Sequence, residues 1–129
     1  MAIKKPSIEK LLKDAKKDKS AKKCGMYLVH NGVVRETAKA KVRQGKKKAQ
    51  DVKGMVFSYD DKKVEKAKKK ALKMKGIYYI NVWLNSGKLK VGDDIMLVLV
   101  GGDIRPNVIN CLQKLVEEIK TKCVMEIEL

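Results

Sequence analysis

The feature that most constrains this chain is a run of six apolar residues, IMLVLV, at positions 95–100. A strand that is apolar at every position has no side to turn toward water, so other elements must cover both of its faces. We therefore expect this segment to be the central strand of a sheet. The sequence GGDIRP follows at 101–106, where Pro106 suits the first position of a helix because its missing N–H is harmless there.

The rest of the chain divides into elements that favour an α+β fold. Apolar residues recur every three or four positions after Pro106, which predicts a long amphipathic helix against the sheet. Ser7 is a suitable N-cap for a short first helix, and a lysine-rich helix is expected after Asp60. The remaining predictions are strands at 24–34, 51–60 and 77–84, a turn at 85–87, a long loop at 35–50 and a short last strand at 123–129.

The charge of the chain predicts an anionic partner but does not identify it. Lysine and arginine outnumber aspartate and glutamate by 31 to 15, which gives a formal net charge of +16. Such an excess attracts phosphates, nucleic acid or acidic proteins. Aromatic residues make up only 5% of the chain, and no zinc-finger, helix-turn-helix or RNP-like pattern occurs in it. We therefore interpret most lysines as solvated surface and keep a small basic nucleic-acid-binding protein as an alternative.

Length and cysteine content indicate one cytoplasmic domain. A chain of 129 residues has the length of an ordinary domain, so we expect a single domain over 1–129. Cys24, Cys111 and Cys123 are odd in number and lack CxxC or Cys/His spacing, which favours a reducing compartment and predicts neither a metal nor a cofactor. The sequence has no apolar run near the roughly 18 residues of a membrane span, and its N-terminus lacks the apolar core of a secretory signal.

Arg105 is one of only three arginines, and it stands where the apolar strand gives way to the helix. Helix N-termini favour anions because their first N–H groups have no intrahelical acceptor, and open α/β sheets bind ligands at junctions of this kind. Arg105 therefore suggests a phosphate or carboxylate site. The alternative is structural: Asp103 and Arg105 end the strand and pair with each other on the surface, where an ion pair contributes little.

Several short motifs occur in a fixed order along the chain. They are Gly32, Val34 and Arg35 in a strand ending in Gly-x-Val-Arg; Gly87, Leu89, Gly92 and Asp93 in Gly-x-Leu-x-x-Gly-Asp; Arg105 after the apolar strand; and Lys120 near a helix end. Over nearly the whole chain this order resembles that of the large, catalytic subunit of molybdopterin synthase, in which Arg105 matches the arginine of a His-Arg pair. The two arginine matches weigh more than the lysine match, because arginine is rare here and lysine is abundant.

The resemblance implies both a fold and a reaction. The fold is an α/β hammerhead-type α+β domain with a mixed sheet and two main helices, which forms a homodimer within a heterotetramer. The reaction transfers sulfur from the thiocarboxylated Gly-Gly tail of a small ubiquitin-like partner to a cyclic pyranopterin monophosphate, in molybdenum or tungsten cofactor biosynthesis. By analogy Arg35 and Arg105 bind the substrate phosphate or the tail carboxylate, since a guanidinium fork matches either. Lys120 is the implied acid/base or transient nucleophile.

Several positions depart from the family pattern. Ile104 replaces the histidine of the His-Arg pair, while Glu126 and Ile127 replace the tryptophan and lysine of a Pro-x-Trp-Lys tail. Isoleucine cannot transfer a proton, and one positioned acid/base group contributes roughly a hundredfold or more to a rate. These departures keep open a second hypothesis, in which a non-catalytic relative binds a pterin phosphate or a Gly-Gly tail.

Two further residues have structural interpretations. Lys120 can simply complement the last helical turn together with Lys122. His30, the only histidine, shares a strand face with Met26 and Leu28. We interpret His30 as a satisfied or half-buried structural histidine rather than a catalytic one.

Overall fold

The computed structural model describes residues 5–38 and 51–129, so most of the loop predicted at 35–50 lies outside the described residues. A 3-10 turn at Lys19–Lys23 follows the first helix, and a π-helical turn at Ile119–Cys123 follows the last. The helices and strands of the described parts are α1 Ile8–Lys17, β1 Met26–Val33, β2 Gly54–Tyr59, α2 Asp61–Leu72, β3 Ile77–Leu84, β4 Gly87–Lys90, β5 Asp94–Gly102, α3 Arg105–Glu118 and β6 Val124–Glu128.

The strands form two three-stranded sheets. β5 is the centre of the first sheet, between β1 and β3, and β2 is the centre of the second, between β4 and β6. The predicted α+β class is confirmed. The predicted mixed sheet is wrong, because every strand pair of the described residues is antiparallel. The expected single sheet is also wrong: β2, β4 and β6 pair with one another and with no strand of the first sheet among the described residues.

β5 is buried on both faces, as its sequence predicts. One face packs with the α3 side of the core through Val98 and Val100, and both side chains are completely buried. The other face packs with α1 through Leu97 and Leu99. The first helix is therefore needed to cover the sheet, because without it the second face of β5 would lie in water. None of the helices in the described parts of the chain is long and apolar enough to cross a membrane.

α3 packs through a buried stripe and carries the chain from one end of the core to the other. Pro106 lies in its first turn, as predicted, and Val108, Cys111 and Leu115 are buried at helical spacing. Ile119 continues the stripe into the π-helical turn and is completely buried. Burial raises the pKa of the Cys111 thiol to about 11, so this thiol stays protonated near neutral pH.

The Gly-x-Leu-x-x-Gly-Asp motif at 87–93 forms turns on either side of β4. Gly87 and Gly92 have φ angles of 94° and 93°, in the region that residues with a Cβ rarely adopt. Leu89 lies between them and is buried. The Asp93 carboxylate accepts a hydrogen bond from the Lys90 N–H at 2.8 Å. The residue types in this motif are therefore explained by backbone geometry and packing.

Candidate functional site

A cavity of about 190 Å³ lies at the C-terminal end of α3, lined by residues of both sheets and of the π-helical turn. Pockets that enclose a whole small molecule usually measure about 300–1,000 Å³, so this cavity suits a charged group such as a phosphate or carboxylate better than a whole phosphorylated pterin. Its lining residues are His30, Gly32, Val33, Arg35, Met55, Ile95, Met96, Lys120, Glu126 and Glu128.

Arg35 reaches the cavity from the segment that follows β1. The residue before it, Val34, is buried and held from two sides: its N–H donates to the Asp93 carbonyl at 2.9 Å, and its carbonyl accepts from the Gly92 N–H at 2.8 Å. The glycine motif therefore helps to position the arginine. Arg35 Nε donates to the Thr37 carbonyl at 3.0 Å. That bond uses one of five guanidinium donors, so the terminal nitrogens can still bind an anion as a fork.

Lys120 enters the same cavity from the π-helical turn. The buried Ile119 anchors this turn, and the Thr121 hydroxyl donates to the Glu117 carbonyl at 2.8 Å. Lys120 itself is half-buried. Turns of this type are rare and are found frequently at functional sites. Arg35 and Lys120, which lie far apart in the sequence, are therefore brought together by the fold, as the resemblance implies.

His30 is a candidate site residue that the sequence analysis missed. It lies on the predicted strand face, but at the end of β1 that face borders the cavity. The side chain is half-buried, as predicted, but its Nε2 atom is buried and has no hydrogen-bond partner among the described residues, so the alternative of a satisfied histidine does not hold for this nitrogen. Burial lowers the pKa of His30, and the positive charge of Lys120 lowers it further. The sequence contained one signal for a place near the site: His30 lies two residues before Gly32, the first residue of the matched motif that ends at Arg35.

β6 brings two carboxylates to the cavity. Glu126 pairs with Phe57 and Glu128 with Met55, and paired residues on neighbouring strands point to the same side of a sheet. Ile127 lies between the two glutamates, so its side chain points to the opposite face, where it is 51% exposed. The position that corresponds to the family's second lysine is therefore outside this cavity.

Arg105 does not join Arg35 and Lys120 within one chain. It is exposed in the first turn of α3, and 14 helical residues separate the two ends of that helix by roughly 21 Å. No ion pair with Asp103 forms in the described structure. The Asp103 carboxylate instead accepts hydrogen bonds from the Asn107 side chain at 2.9 Å and the Ile104 N–H at 2.6 Å, and these bonds lower the pKa of Asp103.

A larger groove of about 700 Å³ lies between α2 and α3, away from the predicted site residues. Its lining includes the small residues Ala67 and Ala71, and an ion pair between Lys70 and Glu118 at 3.0 Å lies beside them. The groove is open to solvent, where ion pairs contribute little. We therefore assign the candidate site to the smaller cavity, in which the predicted residues meet.

Comparison with known proteins identifies the family. The family model described as MoaE protein matches residues 4–122, which is most of the chain. The chain belongs to the MoaE family. The match confirms the resemblance that the motifs indicated. A comparison with curated proteins finds no match.

Solved structures share the fold over nearly the whole chain. Molybdopterin synthase from Staphylococcus aureus has a TM-score of 0.74 at 17% identity, covering 99% of this chain and 88% of that one. The molybdopterin biosynthesis MoaE protein from Burkholderia ambifaria MC40-6 has a TM-score of 0.73 at 17% identity, covering 98% and 82%. A chain in the complex of subunits 1 and 2 of molybdopterin-converting factor from Helicobacter pylori 26695 has a TM-score of 0.66 at 21% identity, covering 96% and 79%.

Proposed function

We propose that this chain acts in molybdenum cofactor biosynthesis as the large subunit of a molybdopterin synthase. Its reaction is the transfer of sulfur from a thiocarboxylated Gly-Gly tail to a cyclic pyranopterin monophosphate. Membership of the MoaE family supports the role in the pathway. The two-subunit complex from Helicobacter pylori supports a second subunit as the partner, and in this proposal that partner is small and supplies the tail.

The observation that carries the proposal is the meeting of Arg35 and Lys120 in one cavity. Arg35 offers a planar fork for phosphate or carboxylate oxygens, while Lys120 offers a point charge and a transferable proton. Lys120 is half-buried, so less water screens its charge than on an open surface, whereas Arg35 is exposed at the edge of the cavity. In this proposal Arg35 binds the anionic group, and Lys120 is the acid/base or transient nucleophile next to it.

In this proposal Arg105 contributes to the site of a second copy of the chain. Its exposed guanidinium lies at the far end of α3, so it contacts substrate only if another protomer presents it to the Arg35–Lys120 cavity. A homodimer with two such composite sites, each served by one small subunit, gives the proposed heterotetramer. The small volume of the cavity fits this arrangement, because a second surface would complete the pocket around the rest of the pterin.

A non-catalytic relative is the second candidate, and one observation favours it. Ile104, which takes the place of the family histidine, is 57% exposed and cannot transfer a proton. Glu126 and Glu128 bring negative charge to the cavity, which opposes anion binding equally in both candidates. A protein with this cavity could retain the phosphate or tail while turning over no substrate.

Reconstitution separates the two candidates. The purified chain is mixed with a thiocarboxylated small subunit and the cyclic precursor, and molybdopterin is measured by its oxidised fluorescent derivative. Turnover that is lost in the Lys120→Ala variant supports the synthase. Precursor binding by calorimetry, weakened in Arg35→Ala and unaccompanied by product, would instead support the binding protein.

A further inference from the structure

The starting observation is the unpartnered imidazole nitrogen of His30. A buried ring nitrogen usually has a hydrogen-bond partner, and one without a partner requires an explanation. Nε2 of His30 is buried and bonded to no described residue. It lies in the lining of the cavity that also contains Arg35 and Lys120, so a ligand bound there is the natural partner for it.

Gly32 leaves space in front of this nitrogen. A Cβ atom at position 32 would lie 3.6 Å from His30 Nε2 and 3.0 Å from Cγ of Met96. Gly32 does not have a positive φ angle, so its backbone conformation does not require glycine. The missing side chain therefore keeps the approach to the imidazole open.

Among the described lining residues, two positive and two negative charges surround His30 before any ligand binds. Lys120 and Arg35 face the cavity with positive charges, and Glu126 and Glu128 of β6 face it with negative ones. The lining residues from β2 and β5 are apolar. A dianion that enters this cavity adds two negative charges, and a proton on the imidazole would offset one of them.

We propose that His30 is a third anion-contacting residue of the Arg35–Lys120 cavity and that it binds the anion as imidazolium, so that ligand binding takes up one proton. This inference rests on the proposed function, in which the bound group is a phosphate. Without ligand, burial and Lys120 keep the pKa of His30 below its ordinary value. A bound anion favours the charged imidazole and raises that pKa.

The pH dependence of binding follows from linkage. Above the pKa of the bound state the imidazole is neutral with or without ligand, and affinity does not change with pH. As the pH falls between the bound-state and free-state values, only the complex is protonated, and affinity rises. Each unit by which the ligand raises the pKa makes binding tenfold tighter at low pH than at high pH.

Sulfate is a suitable first probe because it remains a dianion over the whole range, so only the protein titrates. The chain has a single histidine, so one imidazole signal in an NMR titration reports His30 directly. We expect saturating sulfate to raise the pKa of His30 by about one unit or more, and sulfate to bind about tenfold tighter near pH 5.5 than near pH 8. Inorganic phosphate is the second probe.

Matched variants test the assignment. His30→Gln should bind sulfate with an affinity that is flat with pH, and His30→Phe gives the same comparison if the glutamine variant is poorly folded. Arg35→Ala should abolish the sulfate-induced shift of the His30 signal, whereas Lys122→Ala should retain it, since Lys122 is not part of the cavity lining. The inference is overturned by a His30 pKa that sulfate leaves unchanged, by undetectable binding of both anions, or by a shift that persists in Arg35→Ala.

The outcome is separable from that of the proposed function. A pKa shift with sulfate but no turnover in the reconstituted mixture would reject the synthase and leave the proton-coupled anion site in place. Turnover with a His30 signal that is insensitive to both anions would reject the role of His30 and leave the synthase in place.

Discussion

The two ends of helix α3 carry cations that the sequence analysis assigned to one site, yet their surroundings differ. Arg105 lies in the first turn and is exposed, and the N-cap residue Ile104 makes no side-chain capping bond. Lys120 follows the last turn, is half-buried, and lines a cavity with the imidazole of His30 and with Arg35, whose own side chain is exposed.

On so basic a chain, the burial of a cation indicates a binding site better than its charge does. Ion pairs on an open surface are weakened by water and salt, whereas partly buried charges are screened much less. We therefore expect the Lys120 end to bind a small anion within one chain. We expect the Arg105 end to do the same only with a second surface.

The largest expected effect is at the enclosed end. Lys120→Ala should lower turnover in the reconstituted reaction by about a hundredfold or more, because Lys120 is the acid/base group of the proposed function. Lys122→Ala is the matched control, two residues away in the same π-helical turn but exposed and outside the cavity lining. Similar losses in both variants would mean that the charge of the turn matters rather than the position of Lys120.

The Arg105 end of α3 is tested by complementation between two variant chains. Arg105→Ala alone should lower turnover by about tenfold or more through loss of a guanidinium contact. Co-expressed Arg105→Ala and Lys120→Ala chains form some dimers in which one composite site is intact, so about a quarter of the wild-type activity should return if pairing is random. No recovery in isolated mixed dimers would contradict a site shared between protomers.

Much of the fold could be predicted from local pattern. The run at 95–100 required cover on both faces, and α1 and α3 supply it. The strand at 77–84 has the predicted bounds. β4, Gly87–Lys90, was missed: its first residue ended the predicted turn at 85–87, and residues 88–90 were assigned to no element because they become a strand only by pairing with β2. Pairing between distant segments is what the local pattern does not contain.

The candidate site could be predicted only in part, because its lining also depends on pairing between distant segments. Arg35 and Lys120 were found through short motifs, and the structure brings them together. His30 was not counted among the candidate site residues, because the spacing along β1 gives the face of a strand but not where that face meets a cavity. Glu126 was known only as a departure from the family, since its place in the lining depends on the long-range pairing of β6 with β2.

A smaller effect should distinguish Gly32, which leaves space beside His30, from Gly87, whose φ angle is positive. Gly32→Ala places a methyl group near His30 Nε2 and should weaken sulfate binding by several-fold to about tenfold, with little change in stability because Met96 is flexible. Gly87→Ala is the contrast: nothing lies within 4 Å of its added Cβ, but its φ angle is positive. It should cost about 1 kcal/mol of unfolding free energy and leave sulfate binding intact. Equal binding losses in both would exclude the role assigned to Gly32.

The smallest expected effect concerns stability against pH without ligand. The folded-state pKa of His30 is lowered from 6.5, so the unfolded chain binds more protons between the two pKa values. The contribution to stability is complete above 6.5 and is lost as the pH falls through the lower, folded-state value. In urea unfolding, the free energy of unfolding of His30→Phe should therefore decline less between about pH 7.5 and 5.5 than that of wild type.

Asp103→Asn, at the other end of α3, is the control: the pKa of Asp103 is lowered from 3.8, so its contribution is lost only at more acidic pH. An unchanged decline in His30→Phe would show that the imidazole is not held neutral in the empty cavity, and the difference between the two ends of α3 would then rest on Arg35 and Lys120 alone.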